Sequence, residues 1–149
     1  MIIKKELYRQ CETYLNKRSE TLDQAMDSHR KSLEAESKSS AGDKHETGRA
    51  MVQLEMEKAS QQIEAIRSMR ETLNRINLEK TSQKAVLGSA VSTNFGTYFL
   101  AIGAGQLLVG AETFFAISLS SPIGNQMLGK AQGDSFIFNG RKFEVQRLF

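Results

Sequence analysis

Between Val52 and Ile76 the apolar residues Val52, Met56, Ala59, Ile63, Ile66, Leu73 and Ile76 stand 4, 3, 4, 3, 7 and 3 positions apart. That heptad spacing draws one apolar row along a helix, and such a row must be buried against something. An earlier stretch supplies a partner. Leu7, Cys11, Tyr14/Leu15, Leu22, Met26 and Leu33 form a second stripe, interrupted at Arg18 and His29. Between the two lies ESKSSAGDKHE (Glu36–Glu46), which is polar and small. Ser39, Ser40 and Gly42 break the first helix; Asp43, with Glu46 three residues on, is a capping-box-like start for the second. The shortest connection folds the chain at residues 38–42 into an antiparallel helical hairpin. With arms of roughly 30 residues at ~1.5 Å each, the hairpin is about 45 Å long with a polar tip near residues 36–46.

The composition changes near Thr81. Residues 1–80 hold Gly42 and Gly48 and no proline, whereas the remaining nine glycines and the single proline, Pro122, all lie in residues 81–149. This second part reads as strands and turns. Ala85–Thr93 and Thr97–Ile102 flank the turn Asn94-Phe95-Gly96, and Gln106–Val109 and Thr113–Leu119 follow. After Pro122 a short helix, Ile123–Leu128, ends at Gly129 in the C′ position. Ser135–Phe138 and Lys142–Leu148 flank a second turn, Asn139-Gly140-Arg141, and Phe136, Phe138, Phe143 and Val145 keep a period of two. The expected fold class is α+β: a coiled-coil hairpin over 1–80, then an antiparallel sheet of five or six strands with one helix over 81–149.

Charge excludes some functions. The formal net charge of +3 is spread out, with 15 basic and 14 acidic residues in 1–80 and 5 and 3 in 81–149. No basic block exists to bind nucleic acid through phosphates alone. The lone Cys11 excludes an internal disulfide and fits a reducing cytosol. MIIKKELYRQ has no apolar leader segment. Tyr98–Leu119 carries one charge, Glu112, and has the length of a membrane span, but Gly103, Gly105 and Gly110 cut it into strand-length pieces.

The proline marks a corner. In SLSSPIGNQMLGKAQGDSFIFNGRKFEV a strand meets Ser121-Pro122, a short helix runs to Gly129-Lys130, and Gly133-Asp134 opens the last hairpin. This stretch resembles the C-terminal domain of the bacterial Gre transcript-cleavage factors, most closely over residues 117–148. That family also places an antiparallel coiled-coil hairpin before an FKBP-like domain. The resemblance implies a cytoplasmic, monomeric accessory factor, not itself an enzyme. Its globular domain would dock on the β′ rim of the RNA polymerase secondary channel through Ser120, Ser121, Pro122 and Ile123. Its hairpin would enter the channel. Carboxylates at the tip would then help the polymerase hold a second Mg²⁺ and cleave backtracked RNA, since a two-metal clamp needs hard oxygen ligands.

The tip departs from the family pattern. Lys38-Ser39-Ser40-Ala41 stands where the family carries an acidic run. Glu36, Asp43 and Glu46 remain as acidic candidates, and Asp43 and Glu46 at i, i+3 share a helix face. Each acid also has a plainer role as a cap or a solvated side chain. Arg49 is a candidate contact for nascent RNA, or a surface partner of Glu46. Ser121 is equally an N-cap, with Pro122 at N1. No stable metal site of the protein's own is expected, because His29 and His45 lack cysteine or histidine partners. Cys11 lies on a helical seam, where a structural role outweighs a nucleophilic one. Three functions stay open on these grounds: a channel-binding transcription factor, with or without cleavage; a coiled-coil adaptor with a non-catalytic FKBP-like domain; and, more weakly, a prolyl isomerase.

Overall fold

The computed structural model describes the backbone of residues 2–37 and 43–149, and the side chains of 2–36 and 46–149. Two long helices, α1 (Ile2–Ser37) and α2 (Asp43–Asn74), precede six strands and a short helix. The later elements are β1 (Ala90–Thr93), β2 (Gly96–Ala101), β3 (Gly105–Val109), β4 (Glu112–Ser118), α3 (Pro122–Met127), β5 (Ser135–Phe138) and β6 (Arg141–Leu148). The chain divides into two compact units, Leu15–Arg70 and Met1–Tyr14 with Glu71–Phe149.

Within the unit Leu15–Arg70 the two helices run antiparallel. Leu22 and Gln62 line one cleft, and the Glu36 carboxyl lies against Gly48. The step from Leu22 to Glu36 along α1 equals the step from Gln62 back to Gly48 along α2, as opposite chain directions require. Ala59 and Ile66 are buried and Val52, Met56 and Ile63 half-buried, so the α2 row faces inward. On α1 Leu15, Leu22 and Met26 are buried. Ser19 is half-buried and Arg18 exposed, so the row passes through Ser19 and the arginine stands beside it. The expected turn at 38–42 and the cap at Asp43 lie outside the described residues.

The other unit is built on one six-stranded sheet in the order β3-β4-β2-β1-β6-β5. The expectation of a wholly antiparallel sheet is corrected here: β2 and β4 pair in parallel, from Thr97↔Phe114 to Ala101↔Ser118. The remaining pairs are antiparallel. Burial explains the exception. The β3–β4 hairpin can join β2 through either strand. Inserting β4 buries Phe114 and Ala116 completely or nearly so, and leaves Gly105, Gln106 and Leu108 of β3 at the edge. Local turn signals say nothing about which strand enters.

β1 starts at Ala90 rather than at the expected Ala85. Ser89 N–H donates to the Val86 carbonyl and Val86 N–H to Ser89 Oγ, forming a tight turn. Ala85 pairs instead with the segment after α3, donating to Lys130 O and accepting from Gly129 N–H. The Asn139-Gly140 hairpin has positive φ at both residues (51° and 74°), the type I′ geometry suited to a two-residue loop.

Each sheet face has its own cover. On one, α3 closes a core of Val91, Leu100, Met127, Phe136, Phe143 and Val145. On the other, Phe99 and Phe114 have no exposure at all. The parts of this unit left to cover them are the first residues of α1, the last turn of α2 and residues 75–89. Leu7, Cys11 and Leu73 of those helix ends are themselves buried. The helix ends therefore cluster with the sheet because a two-faced apolar sheet needs a layer on each side.

Candidate functional site

The corner between β4 and α3 is built from serine hydroxyls. Ser121 Oγ donates to the Ser118 carbonyl at 2.6 Å and accepts from Gly124 N–H at 3.1 Å. It is the N-cap of α3, with Pro122 in the first turn. Ser118 Oγ accepts from Ser121 N–H at 3.2 Å and stands 3.1 Å from Ser120 Oγ. Gly124 closes on this knot so tightly that a Cβ there would fall 2.0 Å from the Ser118 carbonyl oxygen. The corner is stiff because every hydroxyl in it bonds to a neighbour.

The four residues expected to dock a partner, Ser120 to Ile123, thus share one corner but not one role. Ser120 and Pro122 are exposed. Ser121 is half-buried and occupied by capping, while Ile123 packs on the core beneath α3.

At the other candidate region the residues are less gathered. Glu36 is half-buried, and its carboxyl lies 2.7 Å from where a Cβ on Gly48 would stand, so it lies across the facing helix. Glu46 and Arg49 are exposed on α2. The side chains of Asp43 and His45 and the run 38–41 lie outside the described residues. Among the described residues no cluster of three or more His, Cys, Asp or Glu side chains forms. No described helix is long and apolar enough to cross a membrane, and Tyr98–Leu119 forms strands.

Sequence reasoning missed an apolar row on the sheet. Leu108, Phe115 and Tyr98 come from adjacent strands β3, β4 and β2 and point to the same side. The Tyr98 and Phe115 rings lie 5.7 Å apart, and Leu108 is 57% exposed. Further along, Phe95 packs 4.8 Å from Phe143, and the Arg141 guanidinium sits 5.5 Å above Phe95. Burial raises the Tyr98 phenol above its ordinary range. The strand alternation of Leu108 and Phe115 was the available signal, but the parallel β2–β4 pairing was needed to join them. Gln10 of α1 donates to the Leu108 carbonyl at 2.7 Å, satisfying one acceptor on the open edge of β3.

No protein-family model, curated protein or solved structure matches this chain.

Proposed function

We propose that this chain is a bacterial, cytoplasmic regulator that binds RNA polymerase at the rim of the secondary channel and directs its α1–α2 hairpin into that channel. The supporting observation is a pairing of features in one chain: an antiparallel helical hairpin, and a rigid Ser118–Gly124 corner that exposes Ser120 and Pro122. The resemblance of residues 117–148 to the Gre factors connects those features to this target. The proposed mode is occupation of the channel rather than aid to cleavage. Glu36 is turned onto Gly48, and Lys38-Ser39-Ser40-Ala41 replaces the acidic run. Glu46 remains exposed on α2, where the polymerase's own Mg²⁺ would be the ion it meets. Arg49, also exposed, would lie near nascent RNA.

A stalled elongation complex tests the mode. Added protein should co-purify with the β and β′ subunits, displace a cleavage factor and yield no shortened transcript at any Mg²⁺ concentration. Shortened RNA that disappears in Asp43→Ala/Glu46→Ala would replace occupation with cleavage support.

A second reading, a protein-interaction adaptor, is favoured by the open apolar row Leu108–Phe115–Tyr98. Failure to co-purify with polymerase, together with loss of another partner in Phe115→Ser, would favour it.

A further inference from the structure

A cavity of about 360 Å³ opens between the first turn of α1 and residues 75–89, and Lys4, Arg75, Asn77, Lys80, Ser82 and Ser89 supply its polar lining. Small-molecule sites run roughly 300–1,000 Å³, so this one suits a small ligand. Lys4 is its unusual member. It is only 4% exposed, and it makes no hydrogen bond or ion pair among the described residues. Its neighbour Lys5 is held by Glu79 at 3.8 Å. A lysine this covered, with no protein partner for its ammonium among the described residues, has lost hydration that a bound counter-ion would restore.

The uncharged groups are oriented the same way. Ser89 Oγ already accepts from Val86 N–H, Ser82 Oγ from Lys84 N–H, and Asn77 Oδ1 from Glu79 N–H. Each oxygen is thus engaged, while two hydroxyl hydrogens and an amide NH₂ remain to donate. The polar lining therefore presents donors and cations. The start of α1 adds to this: it carries no acid in its first turn, so Lys4 and Lys5 stand at the positive end of the helix dipole, where an anion is favoured. The cavity wall is fixed by Gly88, whose φ of +93° and 2.8 Å spacing from Ile76 Cγ2 to an added Cβ exclude a side chain.

We propose that this cavity binds a multiply charged oxyanion of the phosphate or pyrophosphate class, with Lys4 at its floor and Arg75 and Lys80 at its rim. The site is independent of polymerase binding. Burial holds the Lys4 ammonium below its ordinary range, and a bound anion would draw it back up.

The test uses the full chain with inorganic phosphate and pyrophosphate at constant ionic strength, matched with chloride. Pyrophosphate at millimolar concentration should raise the melting temperature saturably, more than phosphate does. Lys4→Met and Lys80→Gln should each weaken binding by about tenfold or more, while Lys58→Gln on α2 should match wild type. In protein biosynthetically labelled with ¹³C,¹⁵N-lysine, the Lys4 Cε and Nζ signals should titrate at higher pH once pyrophosphate is added. Should Lys4→Met fail to fold, the exposed Lys80→Gln and the Lys4 titration carry the test. An unchanged melting temperature in wild type, equal binding by Lys80→Gln, or a Lys4 titration indifferent to pyrophosphate would overturn the proposal.

Discussion

Cys11 sits in the buried row of α1, and burial, reinforced by the nearby Glu12 carboxylate, pushes its thiol from 9.0 up to about 12. The unfolded chain loses this proton near pH 9 while the folded chain keeps it, so the stabilisation is complete below about 9 and is lost as pH rises toward 12. Cys11→Ala should therefore flatten the alkaline decline in stability, read as denaturation midpoints from pH 8 upward. Iodoacetamide should label Cys11 only in unfolding conditions; rapid labelling of the native protein would contradict its burial. Gly124 offers a sharper steric test. Gly124→Ala places a Cβ against the Ser118 carbonyl and should cost about 3 kcal/mol, whereas Gly103→Ala, with nothing within 4 Å, should stay within about 0.5 kcal/mol of wild type. Urea midpoints decide; equal values for the two variants would show that the corner yields easily.

The helices depend on their shared row more than on their composition. Ile66 is 4% exposed in the last third of α2, and Ile66→Ala should cost about 2–5 kcal/mol, while Ile63→Ala, half-buried, should cost less. An aspartate at 66 would bury an unpaired charge. Circular dichroism should then lose helical signal while the sheet unit keeps its protected amides, and undiminished helicity would mean that the row is not the interface. Surface ion pairs along the helices, such as Lys31–Asp27 and Lys58–Glu55, are exposed and add little. Glu6 differs from them in being held down to about 2 by hydrogen bonds from Arg9 and then Gln10. Its favourable share is present above the ordinary carboxylate range and fades as pH falls toward 2.

For the whole molecule the decisive measurement is partner capture. Ser120→Arg with Pro122→Ala changes two exposed residues and leaves the Ser121 cap in place. The double variant should melt within a few degrees of wild type and lose most of the polymerase binding proposed above. Retained binding would move the docking surface elsewhere, with Phe115 and Leu108 as the next residues to change. Ser121→Arg would be a poorer probe, because it removes a cap worth about 1 kcal/mol and confuses folding with docking.

Much of this architecture is set by local chemistry, and that part was legible in the sequence. Heptad spacing marks α2, Ser121-Pro122 marks the start of α3, and Asn139-Gly140 marks a two-residue turn, because each depends on residues a few positions apart. The rest depends on contacts between distant segments. Ser19 rather than Arg18 lies on the α1 row because the facing helix selects which positions are buried. β4 lies beside β2, where Phe114 and Ala116 are buried in the sheet interior, and the more exposed β3 is left at the edge. The Leu108–Phe115–Tyr98 row exists only through that pairing. Lys4, one lysine among many in the sequence, becomes a buried cation facing a cavity only when residues 75–89 fold beside the start of α1. Periodicity shows that a face must be buried; only the packed structure decides which partner buries it and which polar groups are enclosed with it.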